Sequence, residues 1–230
     1  MPDMPDNAPA IIAIDRLLAA GEYDDAVDAA EDLVREARTA ETLRALGRAQ
    51  YERSTATYDE EEHEMGLESL RAAADLPADD RARAAILADL ATMLTGSVFF
   101  TEAKEEESVR RFKEAYALDP TNMRVLIGMT LLRAHPEINA SRAQAIAWVE
   151  RAIALGAPEW WHWSELAKLH EEDGNQQQAI AAYEQMLALF PFGTGHPLEF
   201  VMRQQRKHLD ALRGGRLELI NLDFHPPPGR

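Results

Sequence analysis

The sequence predicts an all-α fold: a right-handed α-solenoid of about five helix hairpins, closed by a capping helix and an extended tail. Three observations predict it. Small and bulky residues recur at helical spacing, copy after copy, along most of the 230 residues. Alanine dominates a hydrophobic fraction of 46%, and alanine favours helix most strongly while letting helices approach closely. Runs of β-branched residues bounded by turn residues, the mark of strands, are nearly absent.

The copies run in order. The first has Ala10, Ala13 and Leu17, a turn at Gly21-Glu22-Tyr23, then Ala26, Ala30 and Leu33. The second has Leu43, Leu46 and Gly47, then Gly66, Leu70 and Ala73. In the third, Leu87, Leu90, Ala91 and Leu94 precede Ser108, Phe112, Ala115 and Pro120. Ile127, Gly128 and Leu131, then Ala145, Val149 and Ala152, make the fourth. The clearest copy is the fifth: Trp163, Leu166, Ala167 and His170, a break at Gly174-Asn175, then Ala179, Tyr183, Met186 and Pro191. Each half is three to four turns long, too short to stand alone in water, so the halves must pair.

This pattern resembles the tetratricopeptide repeat, whose signature is a large residue, Leu-Gly, Tyr, then Ala, Phe and Pro. Trp163, Leu166, Ala167, Ala179, Tyr183 and Pro191 fill those places. His170 stands for the usual tyrosine and Ala167 for glycine. The small residue opening each second helix falls at Ala26, Gly66, Ser108, Ala145 and Ala179, at intervals of 40, 42, 37 and 34. The family period is about 34. The excess predicts extra loop near 54–64, 96–106 and 134–140. The expected organisation is an N-terminal extension (1–9), a repeat domain (10–191), a capping helix (192–215) and an extended proline-rich tail (216–230). In the capping helix Leu198, Val201, Met202, His208, Leu209 and Leu212 share a face.

Composition excludes several functions. The net charge of −16 repels nucleic-acid phosphate and anionic lipid, so neither nucleic acid nor membrane is an expected partner. The chain has no cysteine, which removes disulfides, thiolate zinc sites and cysteine nucleophiles. Scattered histidines, no HExxH, no EF-hand loop and no phosphate-cradling glycine loop give no metal site and no cofactor. No Ser–His spacing suggests a triad, so no catalytic residue is assigned and an enzyme is not expected. The start Met1-Pro2-Asp3-Met4-Pro5-Asp6 lacks the basic and apolar run of a secretory signal, and a cytoplasmic protein is the expectation.

The resemblance implies a groove lined by the first helices, receiving an extended peptide. Its expected lining is Arg44, Arg48 and Tyr51, then Thr92, then an apolar middle of Val125, Met129 and Leu132, then Lys168. Arg44 and Arg48 lie four apart on one helical face. Paired guanidiniums grip a carboxylate bidentately; alternatively, both pair with acids on neighbouring helices. The lysine–asparagine set with which some family members clamp a peptide C-terminus is not reproduced here. Tryptophan is enriched at binding hot spots: Trp163 fits a packing position, while Trp160 and Trp161 are candidate contacts. The acidic runs Asp59–Glu62 and Glu105–Glu107 read as solvated loop or helix face. The tail carries Leu222 and Phe224, candidates for docking on this chain, a second copy or a partner.

The expected function is a protein–protein interaction scaffold or adaptor whose ligand has acidic and apolar residues. A non-catalytic regulatory or assembly subunit, and a small-molecule or peptide carrier, are the alternatives.

Overall fold

The computed structural model describes residues 7–96, 99, 101–156, 159–190 and 199–214. Among them all regular structure is α-helix: α1 (Ala8–Ala20), α2 (Tyr23–Glu36), α3 (Ala40–Thr57), α4 (Glu60–Ala74), α5 (Asp80–Gly96), α6 (Glu102–Leu118), α7 (Met123–Leu131), α8 (Arg142–Ala154), α9 (Trp160–Glu172), α10 (Gln176–Leu189) and α11 (Glu199–Arg213). The chain divides into two compact units, residues 1–141 and 142–230.

Local chemistry starts and stops these helices. Thr39 opens α3 with a reciprocal box: its hydroxyl accepts the Thr42 N–H at 3.2 Å, and Thr42 Oγ1 accepts the Thr39 N–H at 2.9 Å. Asp59, Thr101 and Asn122 cap α4, α6 and α7 through side-chain oxygens, each satisfying an N–H that the helix leaves without a partner. Gly21 (φ 78°) and Gly174 (φ 75°) make the turns after α1 and α9 in left-handed backbone, which glycine adopts without steric cost.

In the first unit, consecutive helices pack as hairpins: α1 on α2, α3 on α4, α5 on α6. The alternate helices α1, α3, α5 and α7 also touch one another in sequence. Small residues stand where backbones come closest. A Cβ on Gly47 of α3 would lie 2.7 Å from Leu70 Cγ and 2.9 Å from the Gly66 carbonyl oxygen of α4. Between α5 and α6 the small residue is Ser108, wholly buried, whose hydroxyl donates to the Ala91 carbonyl at 2.8 Å. A Cβ on Gly128 of α7 would overlap the Phe112 ring of α6. Large apolar side chains fill the space around these contacts; Leu67, Leu70, Leu90, Met93 and Leu94 form one such cluster.

In the second unit α8 packs on α9, α9 on α10 and α11 on α10. Ala167 and Ala179 are fully buried, and Tyr183 and Met186 nearly so. Met202, Leu209 and Leu212 form the buried side of α11. The fourth copy is divided: α7 falls in the first unit and α8 in the second.

The extra residues of the second copy are not loop. α3 and α4 are 18 and 15 residues long, and only Tyr58 and Asp59 join them. The segment 51–57 holds no glycine or proline to stop a helix, and Arg53 pairs with Glu62 across the hairpin, so the added length continues both helices. The acidic run at 59–62 is therefore the cap and first turn of α4, where negative charge meets the positive end of the helix. Likewise α6 begins at Glu102, which puts Glu105–Glu107 in helix. Glu107 accepts from Arg71 Nε and Nη2 at 3.2 and 2.7 Å, and this pairing holds its carboxyl below the usual range. Near 134–140 the extra length is non-helical, between the end of α7 and the start of α8.

The Gly47 contact is testable. Alanine is the better helix former by about 1 kcal/mol, yet Gly47→Ala should lower stability by about 1–2 kcal/mol because overpacking outweighs propensity. Urea unfolding measures it; an unchanged or raised midpoint would contradict the close approach.

Candidate functional site

One cluster of paired charges in the first unit lies where α1, α3, α5 and α7 adjoin. At its centre is Asp89 of α5, whose side chain is 0% exposed. Arg44 of α3 donates Nε–H to Asp89 Oδ2 at 2.6 Å. Arg124 of α7 donates Nη1–H to the other oxygen, Oδ1. One buried carboxylate thus ties three helices together. A second tie runs from α3 to α1: Arg48 Nη1 donates to Asp15 Oδ1 at 2.8 Å. Removing Arg44 or Arg124 would leave the buried Asp89 charge under-compensated, and breaking a buried pair in this way typically costs about 3–5 kcal/mol.

The guanidiniums are only partly covered. The side chains of Arg44, Arg48 and Arg124 are 33%, 30% and 46% exposed. Burial, then the like charge of Arg48, push the Arg44 guanidinium down to about 10. A cation under that pressure is favoured by added negative charge. Arg44 contacts Asp89 through Nε, which leaves its Nη groups; Arg48 contacts Asp15 through Nη1, which leaves Nε and Nη2. Tyr51 is half-buried beside them. Its hydroxyl is 2.9 Å from where a Cβ on Gly96 would be, and burial pushes its pKa up. Thr92 is half-buried, with its hydroxyl donating to the Ala88 carbonyl at 2.8 Å.

The remaining expected positions separate. Val125 and Met129 are 0% and 6% exposed, and every residue from Val125 to Thr130 is buried. Burial on consecutive residues means that no side of α7 is open there, so the apolar middle expected of the lining is core. Leu132 is half-buried. Lys168 belongs to the second unit, where it is exposed and 3.7 Å from Glu165. Leu222 and Phe224 lie outside the described residues.

Trp160, Trp161 and Trp163 lie at the start of α9 and are half-buried. Trp160 meets Phe190 edge-on at 5.2 Å. Trp161 stacks on His162 at 3.8 Å and donates Nε1–H to Glu159 at 2.9 Å. His162 is buried and its Nδ1 accepts the Glu159 N–H at 2.8 Å, so it caps α9 only when that nitrogen is unprotonated. In the first unit His63, also buried, lies between the rings of Tyr51 and Phe99 at 5.6 and 5.5 Å. Burial pushes both histidines down.

No protein-family model matches the chain, and no curated protein matches it in sequence. Solved structures do match. The thermophilic TPR protein TTC0263 of Thermus thermophilus is 20% identical with a TM-score of 0.59, over 90% of this chain and 98% of that one. PilF of Pseudomonas aeruginosa is 18% identical with a TM-score of 0.60, over 93% of each chain. A chain of the APC/C hetero-tetramer Cut9–Hcn1 is 13% identical with a TM-score of 0.63, over 86% of this chain but only 36% of that one. The fold is the tetratricopeptide-repeat fold.

In tetratricopeptide-repeat terms α1, α3, α5 and α7 are first helices of successive copies, and the charged centre lies on them. Among the described residues no helix is long and apolar enough to cross a membrane, and no cluster of metal-ligating side chains occurs. The sequence reading had Arg44 and Arg48 but missed Asp89 and Arg124. The missed signal was an acid inside an apolar run, Ile86-Leu87-Ala88-Asp89-Leu90-Ala91, because a lone charge there is almost never buried without a partner.

The two buried histidines give stability a pH dependence. Their folded pKa values lie below the unfolded value of about 6.5, so below that pH the unfolded chain binds more protons. Their contribution is intact above about pH 6.5 and is lost as pH falls. The wild-type melting temperature should drop by roughly 2–5 °C more between pH 7.5 and 5 than that of a His63→Phe/His162→Gln variant. Equal slopes in calorimetry would contradict it.

Proposed function

We propose that the chain is a non-catalytic interaction scaffold that holds a protein segment bearing acidic and apolar residues on the face of α1, α3, α5 and α7. One observation carries this reading. Arg44 and Arg48 are each fixed by a single carboxylate of a neighbouring helix while other N–H groups of the same guanidiniums are left over. A guanidinium pinned on one side is already ordered, so little rotamer entropy is lost when a ligand carboxylate binds the other side. In a chain of net charge −16, a cationic face of this kind also gives an acidic segment a defined place and orientation.

Tyr51 and Thr92, half-buried beside the arginines, give the ligand an aromatic edge and a small polar surface. The general use of this fold supports the same reading, and one of the similar structures is a chain of a hetero-tetramer. A repeat array offers a long surface for modest chain length, and contacts spread over it give specificity without a reaction centre.

The test uses fluorescein-labelled octapeptides that alternate aspartate or glutamate with leucine, valine or phenylalanine. The wild-type chain should bind members of this set, more weakly as salt rises from about 0.05 to 0.5 M. An Arg44→Gln/Arg48→Gln variant, its fold checked by circular dichroism, should bind at least about tenfold more weakly. Equal binding by the variant, or none by the wild type, would refute the reading.

A further inference from the structure

In the second unit a groove of about 310 Å³ runs between α10 and α11, lined by Glu184 and Leu187 of α10 and by Arg206, Leu209, Asp210 and Arg213 of α11. On each helix these positions are three, four or seven apart, so each contributes one face. The volume is at the lower end of the range of sites that take an organic group, roughly 300–1,000 Å³. The last turn of α11 meets the first turn of α10, where Gln176 donates Nε2–H to the Leu212 carbonyl. Arg213 is already engaged: its Nη2 donates to Glu184 Oε1 at 2.6 Å, and Nη1 lies 3.6 Å from Asp210. Leu209 is buried and Leu187 half-buried. Arg206 is exposed, and no acid among the described residues bonds it. The groove therefore offers an apolar floor and one unpaired cation.

The chain leaves α11 at Gly214, directly after Arg213, and its sequence continues Gly215-Arg216-Leu217-Glu218-Leu219-Ile220. Two adjacent glycines let a backbone reverse sharply. From Arg213 back to Arg206 is about 10 Å along the helix, which an extended segment covers in about three or four residues. Leu217 and Leu219 are two apart, so in an extended segment they point to one side and Glu218 to the other. We propose that this chain's own segment 216–220 lies in the α10–α11 groove as a strap, seating Leu217 and Leu219 on Leu187 and Leu209 and bringing Glu218 to the rim beside Arg206. The long side chain of Arg206 lets its charge reach that rim. The tether favours this occupant over any free one: a segment joined to its site by a short flexible link is present there at an effective concentration in the millimolar range. A free segment of the same chemistry enters only when the strap leaves.

The chain has no cysteine, so an Arg206→Cys/Glu218→Cys variant of the full chain has only the two introduced thiols. Its disulfide equilibrium in a glutathione buffer reads the effective concentration of one thiol at the other. The comparison variant is Lys207→Cys/Glu218→Cys. Lys207 is also exposed on α11 but points about 100° away from Arg206. Because both helix positions are exposed, neither exchange disturbs the packing of α11. The first pair should show an effective concentration at least about tenfold above the second. Adding Leu217→Ser/Leu219→Ser should bring the first pair down to the second. Equal values for the two pairs, or no change with the serines, overturn the inference. Disulfides that join two copies, read by mass, would give the groove to a second copy's tail and overturn it as well.

Discussion

The close approach of helix backbones at small residues is the constraint on which the rest depends. Most of the stability of such helices comes from packing an amphipathic face, so each must bury a face on a neighbour, and the depth of that burial is set by what stands at the crossing. Gly47 against Gly66 and Leu70, Ser108 against the Ala91 carbonyl, and Gly128 against Phe112 are three solutions to the same problem. In each, one partner has little or no side chain and the larger side chains around it fill the gap. Density of this kind transmits any change of volume to the neighbouring helix.

Polar contacts act on top of that packing. Arg44, Asp89 and Arg124 tie α3, α5 and α7; Arg48 and Asp15 tie α3 and α1; Arg71 and Glu107 tie α4 and α6. Such pairs contribute little net stability, because desolvation offsets most of the attraction. Their effect is on register. A carboxylate held by guanidiniums from the helices on either side fixes which turn of one helix faces which turn of the next.

The fold was legible because packing leaves a periodic trace: bulk at one place, smallness at another, repeated at helical spacing. The charge that organises the face was not, because a pair is a property of two positions. Arg44 and Arg48 could be seen as neighbours on one helix, since that distance is local. Asp89 and Arg124 are 45 and 80 positions away from Arg44, and only the stacking of the copies brings them together. Val125 and Met129 went astray for a related reason. The period gives the direction of a residue on its own helix and not whether that direction is open, and α7 is closed all round from Val125 to Thr130. The surplus length of the second copy became helix and not loop because nothing between Tyr51 and Thr57 interrupts it.

A double-mutant cycle at Gly128 and Phe112 tests the packing constraint most directly. A Cβ at position 128 meets only the outer atoms of the Phe112 ring among its three nearest neighbours, and leucine lacks those atoms. Gly128→Ala should therefore destabilise the wild type by about 1–3 kcal/mol but be neutral or stabilising in a Phe112→Leu background, where only the helix preference of alanine remains. A coupling of more than about 1 kcal/mol in urea unfolding is the expected result. Strict additivity would mean that the two helices do not meet where the account places them.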